Sequence, residues 1–209
     1  MRQIPLPLGT LLSENGHEAG RIVLGPSLQP VLDALSAPAS WPFGTAVLSG
    51  PPRSGKSLLA RWFAASHPGA EVIDPADAFD EDALFHRWNR AQADKQPLLL
   101  VNGRAPGAWR IALPDLASRL GAALALDIPP PDDELLAGLI EEHALRRGLT
   151  FSTDVLAYLL ARIERSHAEA EALVATIDRL SLERKASVTI SLARDALAEC
   201  GGEWQPRLL

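Results

Sequence analysis

Gly50-Pro-Pro-Arg-Ser-Gly55-Lys56-Ser57 is the stretch of this chain whose residue types and spacing most directly imply chemistry. It fits the pattern G-x-x-x-x-G-K-[ST], in which glycines let the backbone curl until successive N–H groups face one point. Such a loop, built here from Gly50, Pro51, Arg53, Ser54, Gly55, Lys56 and Ser57, cradles phosphates. Lys56 is expected to reach the β and γ oxygens of a nucleotide, ADP or ATP, and Ser57 to ligate Mg²⁺. A glycine-rich turn that binds nothing would carry the same letters, but it would not have to lie between a strand and a helix, as this one does.

A bound Mg²⁺ needs a carboxylate on a neighbouring strand, and Asp74, closing Glu71-Val-Ile-Asp74, is the best placed candidate. A plain turn aspartate is the alternative. Many ATPases add a second acid there to polarise the attacking water. This chain has Pro75 instead, so intrinsic hydrolysis is expected to be weak or absent. After the next strand, Asn102 or Arg104 offers a polar group near a γ-phosphate, and a capping role for Asn102 stands equally open.

The elements that must position these residues alternate. A helix is expected near Leu28 to Leu35, a strand over Thr45 to Ser49 leading into the loop, and a helix from Ser57 to Ala65. Pro68-Gly69 ends that helix before the strand at Glu71. Leu84, Phe85, Trp88 and Ala91 share one face of a helix over Asp80 to Asp94. Strands follow at Pro97 to Val101 and Ala123 to Ile128, and Pro129-Pro130-Pro131 then breaks the pattern. Beyond it lie helices over Asp132 to Arg147, Thr153 to Glu164 and from Ser166, a strand at Val188 to Ile190, and a short helix begun by Ser191. The expected organisation is an extended tail over 1–20, an α/β core over 21–129, a small helical domain over 130–198 and a terminal tail over 199–209.

Bulk properties narrow the function classes. A 209-residue chain that is 47% hydrophobic buries an ordinary core. A net charge of -6 disfavours direct DNA binding, which needs clustered cations. A single cysteine, Cys200, and the lack of an apolar leader or membrane-length run read as a cytoplasmic protein with no membrane partner.

Three segments together resemble the bacterial initiator-related AAA+ proteins: the phosphate loop, Leu113-Pro-Asp-Leu-Ala-Ser-Arg-Leu120, and Gln3-Ile-Pro-Leu-Pro-Leu8. Asp127-Ile-Pro-Pro-Pro131 and the helices after it extend the likeness over most of the chain. The resemblance implies an AAA+ P-loop core with a parallel sheet and a helical lid. It makes Arg119 an arginine finger offered to a partner's nucleotide, where a guanidinium stabilises developing phosphate charge. It makes Gln3, Leu6, Pro7 and Leu8 a docking segment for the DNA polymerase sliding clamp, and a proline-rich tail loses little entropy on docking. The implied target is the replication initiator DnaA, whose ATP hydrolysis would be promoted in trans; self-association is left open.

The sequence also departs from the family. The stretch between the loop helix and Asp74 is short, so the sheet is expected to be trimmed. Ala168 stands where the lid would carry an arginine that contacts the nucleotide. An autonomous P-loop ATPase or helicase-loader-like motor, and a non-catalytic clamp-binding adaptor, are the competing readings. Pro75 counts against the first, and the retained loop residues against the second.

Overall fold

The computed structural model describes residues 22–104 and 107–201. The proposed clamp segment Gln3, Leu6, Pro7 and Leu8, the whole 1–20 tail and residues 202–209 lie outside them. Four parallel strands form one sheet: β1 (Thr45–Ser49), β2 (Glu71–Ile73), β3 (Leu98–Val101) and β4 (Leu124–Asp127), in the order β2-β3-β1-β4. Central strand β3 reads Leu-Leu-Leu-Val with every residue buried, the near-continuous apolar run that a parallel strand covered on both faces requires. Only His67 to Ala70 separates the loop helix from β2, and no strand forms there, so the sheet is trimmed as the short segment predicts.

Helices cover both faces. On one side α1 (Gln29–Ser36) and α2 (Lys56–Ser66) bury Leu32, Leu35 and Phe63 against Leu48, Leu99 and Val101. Trp41 stacks on Phe63 at 5.2 Å between ring centres and donates its indole N–H to the Ala34 carbonyl at 2.8 Å. On the other side α3 (Glu81–Asp94) and α4 (Pro114–Gly121) pack Leu84, Ala91, Leu116 and Leu120 on Ile73, Leu98 and Leu100. Each buried leucine contributes about 1.5–3 kcal/mol relative to exposure. The alternation of side chains along β3 sends Leu98 and Leu100 to one layer and Leu99 and Val101 to the other.

The remaining helices, α5 (Asp133–Arg146), α6 (Thr153–Leu160), α7 (His167–Arg184) and α8 (Ile190–Gly201), bury their own cluster around Leu136, Ile140, Leu159, Leu173 and Ile177. Local sequence fixes their ends. Asp132, Ser152 and Ser166 accept from the amides of Leu135, Val155 and Glu169, and Gly148, at φ +69°, follows α5. The expected strand at Val188 to Ile190 is not formed. Thr189 instead opens α8, its hydroxyl accepting from the Leu192 amide at 3.3 Å and its carbonyl from Ala193. A local β preference without a sheet edge to pair with yields to a helix cap.

The core and the helical unit meet closely. Asp132 accepts from the Ser27 amide at 2.6 Å, and a Cβ on Gly25 would lie 2.5 Å from Leu135 Cβ. No described helix is long and apolar enough to cross a membrane.

Candidate functional site

The phosphate loop is held open by its own backbone. Arg53, at φ 64°, and Gly55, at φ 82°, take left-handed conformations that turn the chain from β1 into α2. A Cβ on Gly50 would sit 2.9 Å from both Ile128 Cβ and Ser54 Oγ, so only glycine fits beneath the loop. Whereas α3, α5, α6 and α7 are capped by aspartate or serine side chains, α2 begins at Gly55 without one. Its first amides and positive dipole end therefore stay available to an anion. Lys56 Nζ donates to the Gly50 and Pro51 carbonyls, both at 2.9 Å, which sets the ammonium across the loop mouth. Burial lowers its pKa, and the charges of Asp74 and Asp77 work against that. Ser57 is exposed on the first turn of α2, and Ser54 is buried with its hydroxyl unpartnered.

Asp74, just past β2, is exposed and close enough for its charge to act on Lys56. Asn102, past β3, is buried; its amide N–H donates to the Leu48 carbonyl at 2.9 Å, and Nδ2 to Ser49 Oγ at 3.3 Å. Its Oδ1 accepts from the Arg104 amide, so the side chain braces the end of β1 where the loop begins. Arg104 turns instead to Asp77, 3.2 Å away. Asp77, which the sequence reading did not single out, also accepts from the Gly103 amide at 2.6 Å and ties β2 to the β3 exit. Nothing in its spacing marks it; the tie exists only because β2 and β3 are neighbours in the sheet.

The helical unit completes the site. Arg53 pairs with Glu171 of α7 at 3.1 Å. A cavity of about 160 Å³ opens between the two units. Arg53, Ser54 and Gly55 line it from the loop, Leu135, Leu139 and His143 from α5, and His167 from α7. Burial lowers the pKa of His143, and that of His167 is lowered by burial and then by Lys56. Ala168, partly buried, brings only a methyl group. His167 escaped the sequence reading, although its place directly after the cap Ser166 puts it on the first turn of α7.

Arg119 lies elsewhere. Its guanidinium sits over the rings of Phe85 and Trp88, 4.3 and 4.4 Å from their centres, and Nη1 donates to Asn89 Oδ1. These partners all belong to α3, and none is a carboxylate. Among the described residues, the surface ion pair that would be the ordinary role of such an arginine is not formed.

The fold matches known proteins. Residues 132–197 match the family described as Hda, lid domain. Relatives include the chromosomal replication initiator DnaA of Lactobacillus acidophilus, 27% identical over 123 residues that cover 57% of this chain and 26% of that protein. The DnaA of Latilactobacillus sakei is 29% identical over 56% of this chain and 26% of its own length. The chain thus spans about a quarter of the length of the curated relatives it matches. Among solved structures, domain III of Thermotoga maritima DnaA superposes with a TM-score of 0.66 at 14% identity, covering 85% of this chain and 94% of that one. AMPPCP-bound DnaA from Aquifex aeolicus gives 0.57 at 16% identity over 78% and 67%. Thermotoga maritima RuvB gives 0.63 at 14% identity over 88% and 73%. The chain thus has the fold of DnaA domain III and of RuvB, is similar to replication initiators over more than half its length, and matches the Hda lid domain over residues 132–197.

Proposed function

We propose that this chain is a clamp-tethered AAA+ regulator that holds ADP or ATP on Gly50 to Ser57 and promotes hydrolysis of the ATP bound to the replication initiator DnaA, thereby repressing re-initiation. The uncapped α2 terminus, Lys56 across the loop mouth and the unpartnered Ser54 hydroxyl fit a polyphosphate. Apolar Leu28, Leu135 and Leu139 in the same cavity suit a base. Ser57 and Asp74 would hold Mg²⁺, which supplies charge neutralisation of the phosphates when bound. In the proposed arrangement Asn102 supports the loop from below.

The observation that carries the trans reading is the division of labour between two arginines. Arg53 serves the chain's own loop and lid, while the Arg119 side chain makes its described hydrogen bond and aromatic contacts with α3. A guanidinium mounted on a rigid aromatic shelf, with no carboxylate paired to it among the described residues, is suited to a neighbour's phosphates. The autonomous motor reading lacks an acid at Pro75 to orient water. The deciding experiment is the rate of initiator-bound ATP hydrolysis on clamp-loaded DNA, with and without this protein. An unchanged rate would remove the proposal.

A further inference from the structure

The first turn of α7 brings to the phosphate loop a histidine that the loop's own pattern does not call for. His167 is 5% exposed, and its Nδ1 has no hydrogen-bond partner. The cap of α7 is already met by Ser166, whose hydroxyl accepts from the Glu169 amide, so the ring is not needed there. It faces the cavity lined by Arg53, Ser54 and Gly55. From the loop side Ser54 Oγ, in a residue 7% exposed, is also without a partner. Buried polar groups are nearly always paired, and two unpaired ones in residues that line the same cavity are costly unless something else enters it.

The surroundings say what enters. Lys56, the α2 terminus and the α7 terminus all present positive potential, and Glu171, the nearby acid on α7, is already joined to Arg53. Beside His167, Ala168 offers no polar atom where an arginine contact would be expected. A small anion rich in hydrogen-bond acceptors answers every one of these groups.

We infer that His167 is the lid's contact to the nucleotide: with a proton on Nδ1 it donates to a phosphate oxygen of an adenine nucleoside diphosphate seated on the loop, replacing the arginine contact that Ala168 lacks. The inference rests on the nucleotide reading of the loop and adds the residue by which the lid reports occupancy. The lid then closes on the diphosphate through an imidazole, with Arg53 and Glu171 as a second tie.

The test is calorimetric titration of ADP into the full chain and into Lys56→Ala, His167→Ala and His167→Asn, with thermal unfolding of each in the absence of nucleotide. Lys56→Ala should not bind. His167→Ala should bind ADP roughly tenfold more weakly, the loss of one hydrogen bond to a charged group. His167→Asn places an amide nitrogen near the position of Nδ1 and should recover most of the affinity. If Lys56→Ala fails while His167→Ala binds as the unaltered chain does, the histidine is not the contact and the loop reading survives. If Lys56→Ala binds normally, the loop reading falls and the inference with it. Should the alanine variant unfold early, an asparagine variant of normal melting temperature whose affinity is not recovered overturns the inference.

Discussion

Arg53 of the phosphate loop and Glu171 of the third lid helix stand 3.1 Å apart, the only ion pair among the described residues that joins the core to the lid. Their side chains are 68% and 28% exposed, so the pair is well solvated and contributes at most about 1 kcal/mol to stability. Its interest is mechanical, because it couples a left-handed loop residue to the helix that carries His167. Glu171→Ala should leave the melting temperature nearly unchanged yet weaken ADP binding several-fold by calorimetry. Unaltered affinity would show that the loop and lid are not coupled through this contact.

Arg119 is expected to have two separable roles. Stacking on Phe85 and Trp88 gives it a structural share of about 1–2 kcal/mol, more than an exposed ion pair supplies. A finger supplied in trans is worth on the order of a thousandfold or more in rate. Arg119→Ala should therefore lower the unfolding midpoint modestly and abolish stimulation of initiator ATP hydrolysis, while ADP binding persists. Arg119→Lys should stimulate almost as poorly, because an ammonium lacks the planar fork. Normal stimulation by the alanine variant would exclude the proposed role.

For the tail, the docking proposal predicts affinity without stability. Burying a leucine is worth about 1.5–3 kcal/mol, so Leu6→Ala with Leu8→Ala should weaken clamp binding at least about tenfold. The melting temperature should not move. A clamp pulldown that survives deletion of residues 1–8 would exclude the docking role.

Gly25 is a packing requirement between the two units. An added Cβ would meet Leu135 Cβ at 2.5 Å and Leu135 Cα at 3.0 Å, and a backbone atom cannot swing aside as a side-chain tip can. Gly25→Ala should cost about 1–3 kcal/mol in denaturant unfolding. An unchanged midpoint would mean that the start of α5 shifts freely.

Asp132 links acid sensitivity to the same junction. The Leu135 amide first, and then the Ser27 amide and hydroxyl, hold its carboxyl below the ordinary 3.8. A depressed carboxyl stabilises the fold fully above its unfolded pKa and loses that contribution as pH falls through the lower, folded value. Asp132→Ala should cost about 1–2 kcal/mol at neutral pH, where both the cap and the Ser27 bond are lost. The gap between variant and unaltered chain should close below about pH 4 in pH-dependent unfolding. A gap that persists in acid would assign the effect to packing instead.

Sequence alone determined the features that are local. Thr45-Ala-Val-Leu-Ser49 is a strand because it is apolar and bounded by turn residues, and the loop follows because glycines at 50 and 55 permit its turn. Asp132, Ser152 and Ser166 mark helix starts by a bond that reaches only three residues ahead. The trimmed sheet was legible too, since the few residues after α2 leave no room for another strand.

Tertiary structure alone decided the contacts between segments distant in the chain. Asp77 meets Arg104 across neighbouring strands, Arg119 is laid on the aromatic face of α3, and His167 is carried over the loop by the packing of a separate four-helix core. At Val188 to Ile190 the β-branched run pointed the wrong way, because strand preference has force only where another strand is present to pair. Sequence spacing specifies geometry over a few residues, where backbone dihedrals and one hydrogen bond suffice. Which side chains share a cavity is set by how whole apolar faces fit together, and that fit is not written in any short run of residues.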